Sequence, residues 1–241
     1  MKRISSRENP LVKRIRAAIR DHADEIVLEG PKPVADALEA GWKPLLLARS
    51  EDAPQVDDTD AAWVMLTSEL FEGLAGTRTS QGVLALFERP SNPATAILAR
   101  RDTVAVALDG VQDPGNVGTI VRLAAAFDAA GVLLLPGCAD PFAPKAIRSS
   151  AGAILRVPVA QLTTAELLAS GVPLVAADMN GAADDPPARD AVLIFGNEGS
   201  GVSDELMRRA RIVSIPMSEG VESLNVASSA AILLSRSFAI R

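Results

Sequence analysis

Val104-Ala105-Val106-Ala107-Leu108-Asp109-Gly110-Val111-Gln112-Asp113-Pro114-Gly115-Asn116-Val117-Gly118 is the stretch on which the fold turns. An unbroken apolar run stops at Asp, Gly, Pro and Asn, and a helical pattern begins near Val117, with Val117, Ile120, Val121, Ala124 and Phe127 on one face. An apolar run without polar alternation reads as a strand covered on both faces, the mark of a parallel sheet. Runs of the same kind recur at Val132 to Leu135, Val157 to Ala160, Leu174 to Ala177, Val192 to Phe195 and Ile212 to Ile215, with helical segments between most of them. The expected class is therefore α/β. In such sheets ligands sit outside the carboxyl ends of the strands, so the loops that follow the runs are where chemistry belongs.

Upstream, Asn9-Pro10 opens an Arg-rich helix to about Arg20, followed by a strand at Glu25 to Leu28 and a helix opening at Pro31-Lys32-Pro33. Proline is tolerated in a first helical turn because its missing N–H would be unpaired there anyway. The pattern continues with a strand at Leu45 to Leu47, an acidic loop (Glu51, Asp52, Asp57, Asp58, Asp60), a strand at Trp63 to Leu66, a helix at Ser68 to Leu74 and a strand at Val83 to Phe87. Pro90-Ser91-Asn92-Pro93 has the composition of a linker. The division expected is 1–88, a linker at 89–101, and 102–241.

Hydrophobic residues at 48% and charged residues at 22% place the chain among ordinary folded domains and away from the disordered class. No apolar run approaches the roughly 18 residues of a membrane span, and the first residues lack the apolar core of a secretory signal, so a cytoplasmic protein without membrane contact is expected. One cysteine, Cys138, and one histidine, His22, leave no Cys/His metal cluster to build. The net charge of −6 argues against a nucleic-acid partner, but its distribution argues the other way. Residues 1–20 carry seven basic side chains against one acid, Glu8, so the remaining chain holds −12. Lys13, Arg14 and Arg16 lie in that basic helix and are the candidates for contact with a polyanion.

Three loops are chemically loaded. In the first, Arg122 projects about 140° away from Val117 at 100° per residue and is not forced into the sheet. The second, Phe195-Gly196-Asn197-Glu198-Gly199-Ser200-Gly201, sets glycines and a carboxylate directly after a buried strand; glycines there permit positive φ and close backbone approach to a ligand. The third, Ile215-Pro216-Met217 through Ser223-Leu224-Asn225-Val226, leads into a nearly uncharged helix, Leu224 to Ile240, whose N-cap Ser223 or Asn225 could supply. A helix apolar nearly all round is buried in its domain or against a second subunit.

In order, spacing and residues, these loops resemble the three motifs of the SpoU/TrmH class of the SPOUT methyltransferase superfamily. The first is Asn116-x-Gly118-x-x-x-Arg122, the second Gly196-Asn197-Glu198-Gly199-x-Gly201, and the third Ile215-Pro216-Met217 with Ser223-Leu224-Asn225-Val226. Ala227 departs from the pattern, since many relatives carry serine there. The resemblance implies a parallel-sheet SPOUT domain with a deep trefoil knot, preceded by a small α/β substrate-binding domain similar to ribosomal protein L30. It implies transfer of a methyl group from S-adenosylmethionine to a ribose 2′-hydroxyl of RNA, with ribosomal RNA favoured over transfer RNA. Gly196, Ile215, Met217, Leu224 and Asn225 are then the cofactor-binding residues, and Arg122, Asn116 and Glu198 the catalytic ones, with Asn116 and Glu198 orienting Arg122 and the ribose. It further implies a homodimer with active sites at the subunit interface, where Arg122 serves either its own chain's pocket or the opposite chain's. A non-catalytic RNA-binding relative should lack Arg122, Asn116 or Glu198, and all three are present. A dinucleotide-dependent oxidoreductase should carry G-x-G-x-x-G after an early strand, and none is present.

Overall fold

The structure, a computed structural model, describes residues 1–21, 24–53, 63–75, 80–182, 186, 189–221 and 223–240. His22 and the acidic positions Asp57, Asp58 and Asp60 lie outside the described residues. The chain forms two compact units, Met1–Pro90 and Ser91–Arg241.

In the first unit, strands β1 (Lys2–Ile4), β2 (Glu25–Glu29), β3 (Pro44–Ser50), β4 (Trp63–Leu66) and β5 (Val83–Glu88) form one sheet in the order β1-β4-β3-β5-β2. Helices α1 (Pro10–Arg20), α2 (Pro31–Glu39) and α3 (Ser68–Glu72) complete it. Asn9 caps α1 by accepting from the Leu11 N–H, and Val12, Ile15 and Ala18 turn one stripe of that helix into the core. The sheet is mixed, with β2 and β3 both antiparallel to β5. β1, too short to show a hydrophobic period, is held by parallel pairing to β4.

The second unit begins earlier than the expected linker allows. Helix α4 (Ala94–Ala99) lies inside 89–101, and its Ile97, 2% exposed, packs in the same cluster as Ala105, Leu133 and Ala160. Burying that side chain draws the segment into the domain, so the division falls at Pro90–Ser91. Strands β6 (Val104–Asp109), β7 (Val132–Leu134), β8 (Val159–Gln161), β9 (Leu174–Ala182), β10 (Ala191–Gly196) and β11 (Arg211–Val213) form a parallel sheet ordered β11-β9-β10-β6-β7-β8. The chain runs β6, β7, β8 toward one edge and then crosses to the other side of β6, which makes the carboxyl ends around β6 and β10 a switch point.

Helices α5 (Pro114–Ala126), α6 (Pro144–Ser150), α7 (Thr164–Ala169), α8 (Asp204–Met207) and α9 (Val226–Ala239) surround this sheet. α5 opens at Pro114 rather than near Val117, because Asp113 accepts from the Gly115 and Asn116 N–H groups and Pro114 preorganises the first turn. Asn116 and Gly118 are therefore helical. A Cβ on Gly118 would lie 2.1 Å from the Ala146 carbonyl oxygen, so only glycine lets α5 pack this closely on α6. No helix among the described residues is long and apolar enough to cross a membrane.

Candidate active site

The turn after β10 is built by Asn197. Its Oδ1 accepts from the N–H groups of Gly199 at 2.8 Å and Ser200 at 3.1 Å, and its Nδ2 donates to the Gly110 carbonyl at 2.7 Å. Asn197 and Gly201 also exchange backbone hydrogen bonds, with Gly201 at φ +71°. Gly196 itself has no positive φ. A Cβ there would stand 2.1 Å from the Gly201 carbonyl carbon and 2.2 Å from the Val202 nitrogen, so the close return of the turn's own backbone, and not conformational freedom, demands this glycine.

Glu198 ties that turn to the loop after β6. Its carboxylate accepts from Asn116 Nδ2 at 2.8 Å and from the backbone N–H groups of Gln112 and Asp113 at 3.3 and 3.4 Å. Asn116 Oδ1 in turn accepts from Asn225 Nδ2 at 3.1 Å. Asn225 Oδ1 caps α9 through the N–H groups of Ala227 and Ser228. Each side-chain atom in the chain Glu198–Asn116–Asn225 faces a group of opposite hydrogen-bonding character, which joins the three loops. Burial pushes the Glu198 pKa up and is the largest single influence, but the hydrogen bonds from Asn116 and from the backbone N–H groups of Glu198, Gln112 and Asp113 outweigh it and hold it below the ordinary value. Asp113 is likewise lowered, first by Lys145, whose Nζ lies 2.8 Å away, and then by the Gly115 N–H.

Beside this network is a cavity of about 540 Å³ at the carboxyl ends of β9, β10 and β11. Gly196, Ile215, Met217, Leu224 and Asn225, the five residues expected to bind a cofactor, all line it. A model of the SpoU rRNA Methylase family matches residues 103–235, more than half of the chain. The chain belongs to the SpoU rRNA methylase family. This SpoU methylase is 32% identical to the 23S rRNA (guanosine(2553)-2′-O)-methyltransferase RlmP of Bacillus subtilis, over 97% of the chain and 98% of the relative. Its fold resembles the AdoMet-bound rRNA methyltransferase of Sinorhizobium meliloti, with a TM-score of 0.86, 31% identity and coverage of 98% and 97%. It also resembles the SpoU methyltransferase AviRb of Streptomyces viridochromogenes in complex with AdoMet, with a TM-score of 0.84, 26% identity and coverage of 96% and 98%.

Within one chain Glu198 and Asn116 hold each other, and Arg122 has no hydrogen-bond or ion-pair partner among the described residues. Arg122 lies six residues beyond Asn116 on α5, roughly 9 Å along the helix axis at 1.5 Å per residue, exposed and outside the cavity lining. The basic helix α1 is also less free than its charge suggests. Lys13 pairs with Glu8 at 2.5 Å, Arg14 Nε lies 2.9 and 3.1 Å from the two Glu25 carboxylate oxygens, and Arg16 is half-buried. Sequence reasoning missed Asp178 and Met179, which line the cavity from β9. The signal that could have found them was a carboxylate immediately after the apolar run Leu174 to Ala177, the same placement as Asp109 after β6's apolar run.

Proposed function

We propose that this SpoU methylase transfers a methyl group from S-adenosylmethionine to a ribose 2′-hydroxyl of ribosomal RNA. The observation that carries the reading is the Glu198–Asn116–Asn225 chain beside a cavity at the strand carboxyl ends. The cavity fits the cofactor: its volume lies in the range of small-molecule sites, Ile215, Met217 and Leu224 offer apolar surface to the adenosyl group, and the 196–201 backbone offers polar groups. Gly196, Ile215, Met217, Leu224 and Asn225 hold it there, and when bound it supplies an electrophilic methyl group on a sulfonium.

The chain's own residues position and activate the acceptor. A ribose hydroxyl is a weak nucleophile at neutral pH unless a base or a positive charge assists it. Glu198 and Asn116 accept and donate at the ribose. Arg122, whose guanidinium has five donors and no acceptor, clamps the target phosphate and stabilises the developing alkoxide. Its exposure supports a role across a homodimer. The end of α9 adds apolar surface, with Phe238, which packs on Phe127, and Ile240 still 45% and 51% exposed for a second copy to cover. The fold of the second unit includes a deep trefoil knot, and the first unit is an L30-like substrate-binding domain that presents Lys13, Arg14 and Arg16 to RNA phosphates. Exposed ion pairs are worth little, about 0–1 kcal/mol, so phosphates can displace Glu8 and Glu25 from Lys13 and Arg14. A cytoplasmic location is in keeping with an rRNA substrate.

Calorimetric titration with S-adenosylmethionine should show one site per chain. With labelled cofactor and ribosomal RNA, label should enter an alkali-resistant dinucleotide, the product of a 2′-O-methyl group. Label found only in bases would overturn the reading.

A further inference from the structure

A second cavity, of about 320 Å³, shares a wall with the first: Asn197, Ser200 and Gly201 line both. Its other walls carry Asp109, Gln112 and Ser203. It abuts the proposed site, because the backbone N–H of Gln112 donates to Glu198 at 3.3 Å. Cofactor binding and activation of the ribose hydroxyl leave this second cavity without a role.

Its lining has unused hydrogen-bonding capacity. Asp109 Oδ2 accepts from the Ser203 N–H at 2.7 Å, which fixes the carboxylate, while Oδ1 has no partner among the described residues. The Gln112 side-chain amide and the Ser203 hydroxyl are likewise without partners there, and Ser203 makes no side-chain cap to α8 although it stands at the N-cap. Among the described residues no aromatic ring lines the cavity, so a base entering it is selected by its hydrogen-bonding edge and not by stacking.

We infer that this cavity receives the unstacked target nucleobase and selects guanine; the inference rests on the RNA-methyltransferase reading for its substrate class. A carboxylate only accepts hydrogen bonds. The Watson–Crick edge of guanine presents two adjacent donors, N1–H and the 2-amino group, and one acceptor, O6. Asp109 matches the donors, and Gln112 or Ser203 matches O6. Adenine and cytosine turn an unprotonated ring nitrogen toward the same edge, lone pair against lone pair. Uracil flanks its single N–H with two carbonyl oxygens, which the carboxylate repels. The shared wall at Asn197 and Ser200 sets the base next to the site where its ribose would react.

The test is saturation-transfer NMR on the full chain with guanosine, adenosine, cytidine and uridine 5′-monophosphates in turn. Saturation of the guanine H8 signal alone is expected. Asp109→Asn keeps an acceptor for the Ser203 N–H but turns an amide N–H toward the cavity, and it should weaken guanosine monophosphate roughly ten- to a hundredfold, the worth of a charge-assisted hydrogen bond. Gln112→Ala changes only an exposed side chain and should weaken it about two- to tenfold. Equal binding of all four nucleotides, no binding of guanosine monophosphate, or binding unchanged in both variants would overturn the inference. S-adenosylmethionine titrated into the same samples keeps the two readings apart: its failure to bind the parent protein would count against the methyltransferase and not against the base pocket.

Discussion

Glu198 concentrates the electrostatics of the site. Its folded pKa lies below the ordinary glutamate value of 4.5, so the folded state binds its proton less readily than the unfolded chain does. The stabilisation is therefore present in full above the unfolded value and is lost as the pH falls through the folded one. In Glu198→Gln an amide NH2 must face Asn116 or a backbone donor, which at this exposed position should cost about 0.5–1 kcal/mol at pH 7. The acid limb of stability below pH 4.5 should become shallower, the remainder coming from other lowered carboxyls such as Asp113 and Glu166. Urea unfolding midpoints at pH 7 and in steps from pH 5 to 3 measure both effects; an acid limb as steep in the variant as in the parent would mean that Glu198 has no part in it. The importance of this carboxylate was legible from its place after a buried strand. That it binds Asn116 instead of Arg122 was not, because the two candidates lie on one helix and the sequence does not say which turn of that helix faces the loop.

At the scale of elements, α5 and α6 depend on a missing methyl group. Gly118→Ala puts a Cβ against the Ala146 backbone, which cannot rotate away as a side chain could, so α5 must shift. Overpacking of this kind costs about 1–3 kcal/mol, and here it should also displace Asn116 two residues earlier, lowering methyl transfer more than cofactor binding. Thermal unfolding, calorimetric titration and incorporation of labelled methyl into RNA together check this; unchanged transfer in a destabilised variant would separate the packing of the two helices from the site. In the other unit, reversing Lys13, Arg14 and Arg16 to glutamate should weaken RNA binding and reduce the log–log salt slope by roughly 0.7 to 0.9 for each phosphate the helix no longer neutralises. An unchanged slope would leave α1 as a solvated face whose charges serve Glu8 and Glu25. The start of α1 was readable from Asn9-Pro10, a local signal. The ion pair of Arg14 with Glu25 joins a helix to a strand and has no local signature.

For the whole molecule, the exposed Arg122 and the apolar end of α9 make one combined prediction. Arg122→Ala should bind S-adenosylmethionine normally and transfer nothing. Leu224→Glu, at a 38% exposed position in the cavity wall, should lose the cofactor while keeping the fold. Co-refolding the two gives some heterodimers in which one of two composite sites is whole, so those dimers should recover up to about half of the parent's activity, as a symmetric isologous interface requires. No recovery in a mixture shown by mass to contain heterodimers would place Arg122 and the cofactor in the same chain.

By itself the sequence determined what depends on neighbours along the chain: the unalternated strands of a parallel sheet, the helix start at Asn9-Pro10, a cap for α9 from either Ser223 or Asn225, and the three loops whose residues line or adjoin the cavity. Tertiary structure alone decided which of these meet. Asn116 reaches Glu198 across 82 residues and Asn225 across 109, and these pairings follow from the strand order β11-β9-β10-β6-β7-β8. Hydrophobic periodicity sets how each strand is buried but not its neighbours, because any apolar strand pairs by the same backbone hydrogen bonds. The same limit applies to Gly118 and Gly196: a glycine's need for space is created by the backbone that approaches it, and that backbone arrives only when the fold closes.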